Sequence, residues 1–199
     1  MSSKGVKMRV WVALAVGLAS VPTVAWGQQA SSRSLVTDSS VSPEEMTIYE
    51  VVLDSWLGKQ RGRQFVNQEL SAPPLKSDPQ FADCTKGLDF SVAAPVQRKS
   101  LAGVQFKRKG IELIDGSKWK PADPEQGIAS GESIDAAVKE GFSKSLISFS
   151  EIAFSRDGND ALVNFAMVCG GLCGSGSTIH LHKAAMGWAI AGRCGEWES

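Results

Sequence analysis

Ile147-Ser148-Phe149-Ser150-Glu151-Ile152-Ala153-Phe154, a turn at Arg156-Asp157-Gly158-Asn159, then Ala161-Leu162-Val163-Asn164-Phe165-Ala166-Met167-Val168: this stretch opens the part of the chain that decides the fold. A glycine-rich segment follows, Cys169-Gly170-Gly171-Leu172-Cys173-Gly174-Ser175-Gly176. Next come Thr178-Ile179-His180-Leu181-His182-Lys183, a turn at Ala185-Met186-Gly187, and Trp188-Ala189-Ile190-Ala191, with Trp197 near the end. Four short apolar runs separated by Gly-containing connectors predict an antiparallel meander of about four strands.

Upstream, Ser42 reads as an N-cap with Pro43 at the first helical position and Glu45 completing a capping box. Val41 and Met46 are spaced for a hydrophobic staple. Met46, Tyr49, Val52, Leu53, Trp56 and Leu57 recur at helical spacing and Gly58 ends the run, so a four-turn amphipathic helix is expected, its stripe lying on the sheet. Phe65 to Leu70 reads as a strand stopped by Ala72-Pro73-Pro74, and Asp78-Pro79 opens a turn or two of helix through Phe81, Ala82 and Cys84. Leu101 to Ile114 contains an edge strand guarded by lysines. Gly116 to Gly131 reads as loop. Ile134, Ala137, Val138 and Phe142 form a second, shorter helical face. The expected class is α+β, with both helices on one face of the meander.

The N-terminus carries Lys4, Lys7 and Arg9, then an apolar core from Val10 to Ala19 and small residues Ala25 and Gly27. This is the pattern of a signal peptide over residues 1–27, with cleavage after Gly27. The core falls short of the roughly 20 apolar residues of a membrane span. No cysteine stands near the cleavage point to carry a lipid anchor. Residues 28–41, rich in Ser and Gln, read as a tether, and 42–199 as a single domain. A mature chain of about 170 residues can bury roughly 70% of its unfolded surface.

Loss of the leader's three basic residues leaves 18 basic against 21 acidic, a formal balance of about −3. That balance gives no overall attraction to nucleic acid or to an anionic membrane. The basic runs at Lys59–Arg63 and Lys107–Lys109 read as solvated loops and strand edges.

Cys84, Cys169, Cys173 and Cys194 all belong to the exported part, and an even count there predicts two disulfides. Three connectivities are open. Cys169–Cys173 is favoured because Gly170 and Gly171 let the backbone fold back to disulfide geometry, which leaves Cys84–Cys194.

At Phe149–Asp157, Ala161-Leu162-Val163, Cys169–Gly176 and Gly187-Trp188 the chain resembles an uncharacterised family of bacterial exported proteins. In that family a Ser-rich strand and an Ala-Leu-Val strand precede a Cys-Gly-x-Leu-Cys-Gly-x-Gly loop and a closing Gly-x-Trp strand. The resemblance covers the C-terminal quarter and a starting helix like Glu44–Leu57. It implies an extracytoplasmic α+β domain and no activity; Cys194 departs from the pattern.

Chemistry is sparse. Gly170, Gly171, Gly174 and Gly176, with Ser175 among them, can expose backbone N–H groups as an anion-binding nest does. The competing reading is a wide hairpin connection stapled by its own disulfide. No Gly-Lys-Ser/Thr ending marks a P-loop and no Gly-x-Ser-x-Gly elbow occurs. His180 and His182, at i and i+2, point to one face of a strand. With Cys169 and Cys173 they have the ligand types of a Cys₂His₂ zinc site. A thiol–disulfide role for Cys169-x₃-Cys173 lacks the two-residue spacing and following helix of thioredoxin-like sites. Asp115, Asp123, Glu125, Glu132 and Glu151 are too scattered to name a catalytic pair. Trp56, Trp188 and Trp197 read as core anchors, while Trp119, in a Pro-rich loop, is placed to meet a ligand. The reading taken forward is a non-enzymatic module without cofactor. It binds a protein or small molecule in the helix–sheet cleft or at the glycine loop; a metal protein is the alternative and a thiol–disulfide protein the third.

Overall fold

A computed structural model describes residues 40–60, 62–74, 84–90, 98–120, 122–171 and 173–199. All lie in one compact unit, Thr37–Ser199. The expected leader, most of the tether and the helical turn expected over 78–83 fall outside the described residues. In chain order the elements are α1 (Pro43–Leu57), β1 (Gln64–Asn67), β2 (Ile111–Ile114), α2 (Pro124–Ala129) and α3 (Ile134–Ser143). The strands β3 (Leu146–Phe149), β4 (Ala153–Phe154), β5 (Asp160–Gly170), β6 (Cys173–Ala184) and β7 (Gly187–Glu198) follow.

β5 is the middle of the sheet. β3 and β4 pair with one of its edges and β6 with the other, and β7 pairs with β6, all antiparallel. The meander therefore forms as its periodicity predicts. It is wider than predicted: β1 adds parallel to β3, and β2 parallel to β1, so the mixed sheet runs β2-β1-β3-β5-β6-β7. The strand expected over Ile147–Phe154 is split. From Phe149↔Phe165 to Ala153↔Leu162 one side advances one residue more than the other, which is a β-bulge. Ser150 makes it: its hydroxyl accepts the Asn164 N–H at 2.8 Å in place of a ladder carbonyl and donates to Glu151 O at 2.7 Å.

α1 has the predicted start. Ser42 Oγ accepts the Glu45 N–H at 3.2 Å and the Glu45 carboxylate accepts the Ser42 N–H at 2.9 Å. Glu45 is buried and also pairs with Lys99 at 2.8 Å, which pins the 98–101 segment to the helix start. The helix has no basic residue in its last turn. Arg108 supplies the missing cation, donating to Gly58 O at 3.2 Å and pairing with Asp54 at 3.0 Å. Within the basic run at Lys107–Lys109, Lys107 and Arg108 are thus engaged by the helix acids Glu50 and Asp54. Ile48, Tyr49, Val52, Leu53 and Leu57 face Ile147, Phe149, Val163, Phe165, Ile179 and Leu181, forming the main core.

Two helical details differ from expectation. The span read as loop holds α2, because Asp123 caps it (Glu125 N to Oδ1, 3.1 Å) and Pro124 stands at its first position. In α3 the small residues Ala137 and Gly141 turn inward against the end of β5, while Ile134 (65%), Val138 (38%) and Phe142 (52%) are exposed. Pro124 explains this: a Cβ on Gly141 would stand 2.6 Å from its Cγ, and one on Gly170 2.8 Å from its Cδ. The prolyl ring occupies a notch that only glycines leave open, and the larger residues are left outside.

Tyr49 is the chain's only tyrosine. It is wholly buried, and its hydroxyl donates to Ser150 O at 2.9 Å. Burial, then the charges of Glu45 and Glu151, raise its ionisation well above the ordinary 10.0. Its contribution to stability is therefore complete below the ordinary phenol value and is lost as pH rises from there toward the raised folded value. In an alkaline titration the phenolate absorbance of the native chain should stay absent until the chain unfolds, in one cooperative step. A smooth phenolate rise centred on the ordinary value, before unfolding, would refute the burial. Tyr49→Phe should flatten the alkaline limb of the stability curve.

Both disulfides form as favoured, Cys84–Cys194 with Cα atoms 5.9 Å apart and Cys169–Cys173 with Cα atoms 5.1 Å apart. They point to folding in an oxidising compartment. No described helix is long and apolar enough to cross a membrane.

Candidate functional site

The glycine-rich segment is strand rather than wide loop. β5 runs to Gly170 and β6 starts at Cys173, so Gly171 and its neighbour are the whole connection. Gly174 and Gly176 lie inside β6, where a partner ring accounts for them. A Cβ on Gly176 would be 2.5 Å from Trp197 Nε1, and one on Gly174 3.3 Å from the same ring. The glycines are the bed on which Trp197 lies. Gly170, Gly171, Gly174 and Gly176 are not among the positive-φ glycines, so the alternating backbone hand that makes an anion nest does not arise at them.

Beside this bed, between the second half of α1 and β6–β7, lies a cavity of about 450 Å³. Phe165 is its buried floor and Trp56 its wall, the two rings tilted with centroids 4.9 Å apart. Strand alternation turns Ser175 and Ser177 toward the α1 side, and both residues line the cavity with Gly176 between them. β7 supplies Arg193, Glu196, Trp197 and Glu198. Gly195, at φ 57, sits where β7 loses register against β6, and this bulge sets the direction of the residues that follow it.

What distinguishes the cavity is how little of its polar chemistry is engaged within the protein. Arg193 Nη2 donates to Ser55 Oγ at 3.2 Å. Among the described residues, the side chains of Ser175, Ser177, Glu196 and Glu198 make no hydrogen bond or ion pair. A second hollow of about 370 Å³, by Asp89, Ser155, Arg156, Asp157 and Asp160, is the contrast. There Arg156 pairs with Asp89 at 3.3 Å and Ser155 donates to Asp157 at 2.6 Å. Hydrogen bonds to Asp157 from Ser155 and then Asn159 hold its carboxyl below the usual range. Asp160 is engaged by both histidines. The second hollow is closed on itself; the first faces outward.

The Cys₂His₂ reading is overturned. Cys169 and Cys173 are bonded to each other, and seven residues of extended strand put His180 roughly 23 Å from Cys173. The imidazoles have another partner: His180 Nε2 and His182 Nδ1 lie within hydrogen-bond distance of Asp160 Oδ1, at 2.7 and 3.0 Å. Among the described residues no group of three or more His, Cys, Asp and Glu side chains is placed to hold a metal ion. No local pattern marks Asp160 as their partner, because its neighbours are brought to it by the β5–β6 register, Asp160↔His182 and Leu162↔His180.

Trp119 does not reach the cavity. Its ring stacks on Phe65 with centroids 4.3 Å apart and its Nε1–H donates to Lys144 O at 3.2 Å, clamping β1 to the end of α3. Of the residues expected in a ligand loop, Ser175 and Gly176 reach the cavity, and Gly170, Gly171 and Gly174 lie elsewhere. Trp56, Arg193, Glu196 and Glu198 join them without a sequence signal that groups the four. Compared with protein-family models, curated proteins and solved structures, the chain matches none.

Proposed function

We propose that the protein is an exported, non-enzymatic binding module that takes a partner or small molecule in the cleft between α1 and β6–β7. One observation carries this reading: a cavity of ligand size whose floor and wall are aromatic and whose hydroxyls and charges are almost all unengaged. Concave sites that set convergent polar groups beside an aromatic surface are where small molecules bind, and this one is weighted toward its polar groups. Export to the periplasm or the exterior rests on the leader pattern and agrees with the two disulfides. The resemblance to bacterial exported proteins points the same way and brings no activity with it.

The mature chain keeps four indoles, at Trp56, Trp119, Trp188 and Trp197, so it contains its own control. Amide spectra are to be recorded against a mixed set of saccharides, amino acids and short peptides. Binding in the cleft should shift the Trp56 and Trp197 indoles and the Ser175–Ser177 amides and leave Trp119 and Trp188 in place. Shifts clustered elsewhere, or none from any member of the set, would refute the cleft.

A further inference from the structure

The geometry points to a zwitterion as the ligand of this cleft: a small molecule or peptide end with an ammonium and a carboxylate on an apolar body. The inference rests on the cleft reading and narrows it. Trp56 and Trp197 offer an apolar surface above the buried Phe165, while the rim carries both signs, Arg193 against Glu196 and Glu198. Arg193 makes no ion pair among the described residues although two carboxylates follow it on the same strand; its one bond is to Ser55.

That mixture excludes ligand classes one at a time. A purely anionic ligand meets two carboxylates, and a purely cationic one meets the guanidinium. An apolar ligand covers part of a polar lining and returns no hydrogen bond to it. A neutral polyhydroxylated ring can hydrogen-bond the serines and the charged groups alike but brings no charge to pair either sign, so it gains less from them than a charged ligand does. A zwitterion answers both signs together. Its carboxylate accepts from the guanidinium fork, its ammonium donates to a glutamate, and its side chain covers Trp56. Ser175 and Ser177 are then left to bond an amide of the ligand backbone.

The probes are the dipeptide Ala-Phe, its N-acetyl and C-amide forms, and glucose, titrated into the mature chain by calorimetry and amide shifts. Ala-Phe should move the Ser175 and Ser177 amides and the Trp56 indole. Either cap should weaken binding by about tenfold or more, as loss of one charge-assisted bond does. Arg193→Gln should weaken Ala-Phe by a similar factor and leave Ala-Phe-amide unchanged, a coupling that a merely structural arginine would not show. If capping changes nothing, or glucose or another fragment moves these signals where Ala-Phe does not, the zwitterion is wrong and the cleft stands. If neither these probes nor the wider set moves them, both are wrong.

Discussion

Replacing Cys84 and Cys194 together by alanine lowers the stability of the folded domain by about 5 kcal/mol, whereas replacing Cys169 and Cys173 costs about 2 kcal/mol. The asymmetry follows from loop length. The first bond joins residues separated by 110 positions and the second residues separated by 4, so they restrict the unfolded chain very differently. The long bridge has a native role as well. Cys84 packs beside Phe90, Ala153 and Leu162, a small second core on the face of the sheet away from α1. Its partner Cys194 lies on β7 next to the Gly195 bulge, on the outermost strand beyond β6. Cutting the bridge loosens the second core and that strand together. Thermal unfolding of the two double variants is the measurement, at about 2–4 °C per kcal/mol for a domain of this size. Equal losses would show that loop length does not set the difference, and a Cys84/Cys194 variant that melts with the parent chain would show that the bond constrains nothing.

The elements that the residues announce in advance are those whose signals are local. The capping box at Ser42, the stripe from Met46 to Leu57, the turns at Gly158 and Ala185–Gly187, and the alternation along β5 and β6 each need only a few neighbouring residues. What escapes a reading of the sequence depends on neighbours distant in the chain. β1 and β2 have four residues each, and their parallel partners exist only once the sheet has assembled. α2 is a six-residue helix with Gly127 inside it, which hides the Asp123-Pro124 start. Ser150 looks like one more polar position in an alternating strand until Asn164 lies opposite. The glycines are the clearest case. Four in eight residues read as a flexible connector, but Gly170 makes room for Pro124, and Gly174 and Gly176 make room for Trp197. A glycine in a sequence marks missing bulk and does not say whether a turn or a neighbour uses the space. The cavity escapes for the same reason. Trp56 lies on the first helix, Ser175 and Ser177 on the sixth strand and Arg193 on the last, and only the fold brings them to one cleft.

Phe165→Ala should cost about 3–5 kcal/mol, the range for truncating a fully buried phenylalanine. The site gives little room for relaxation. Phe165 is 2% exposed, and it is the link in a run of rings from Tyr49 to Phe149 (5.1 Å), Phe149 to Phe165 (5.7 Å) and Phe165 to Trp56 (4.9 Å). Truncation therefore extends the cavity into the core and deprives Trp56 of its stacking partner, which should shift and broaden tryptophan emission. Phe165→Leu separates the two consequences. It keeps most of the buried volume, so stability should fall by less than about half as much, while the aromatic floor is lost. If the cleft binds through its aromatic surface, the leucine variant stays folded and loses affinity for whatever shifts the Trp56 indole. A leucine variant that binds as well as the parent would mean that Phe165 only fills the core and that recognition lies in the rim alone. Chemical denaturation of both variants beside the same indole titration reads both quantities from one set of samples.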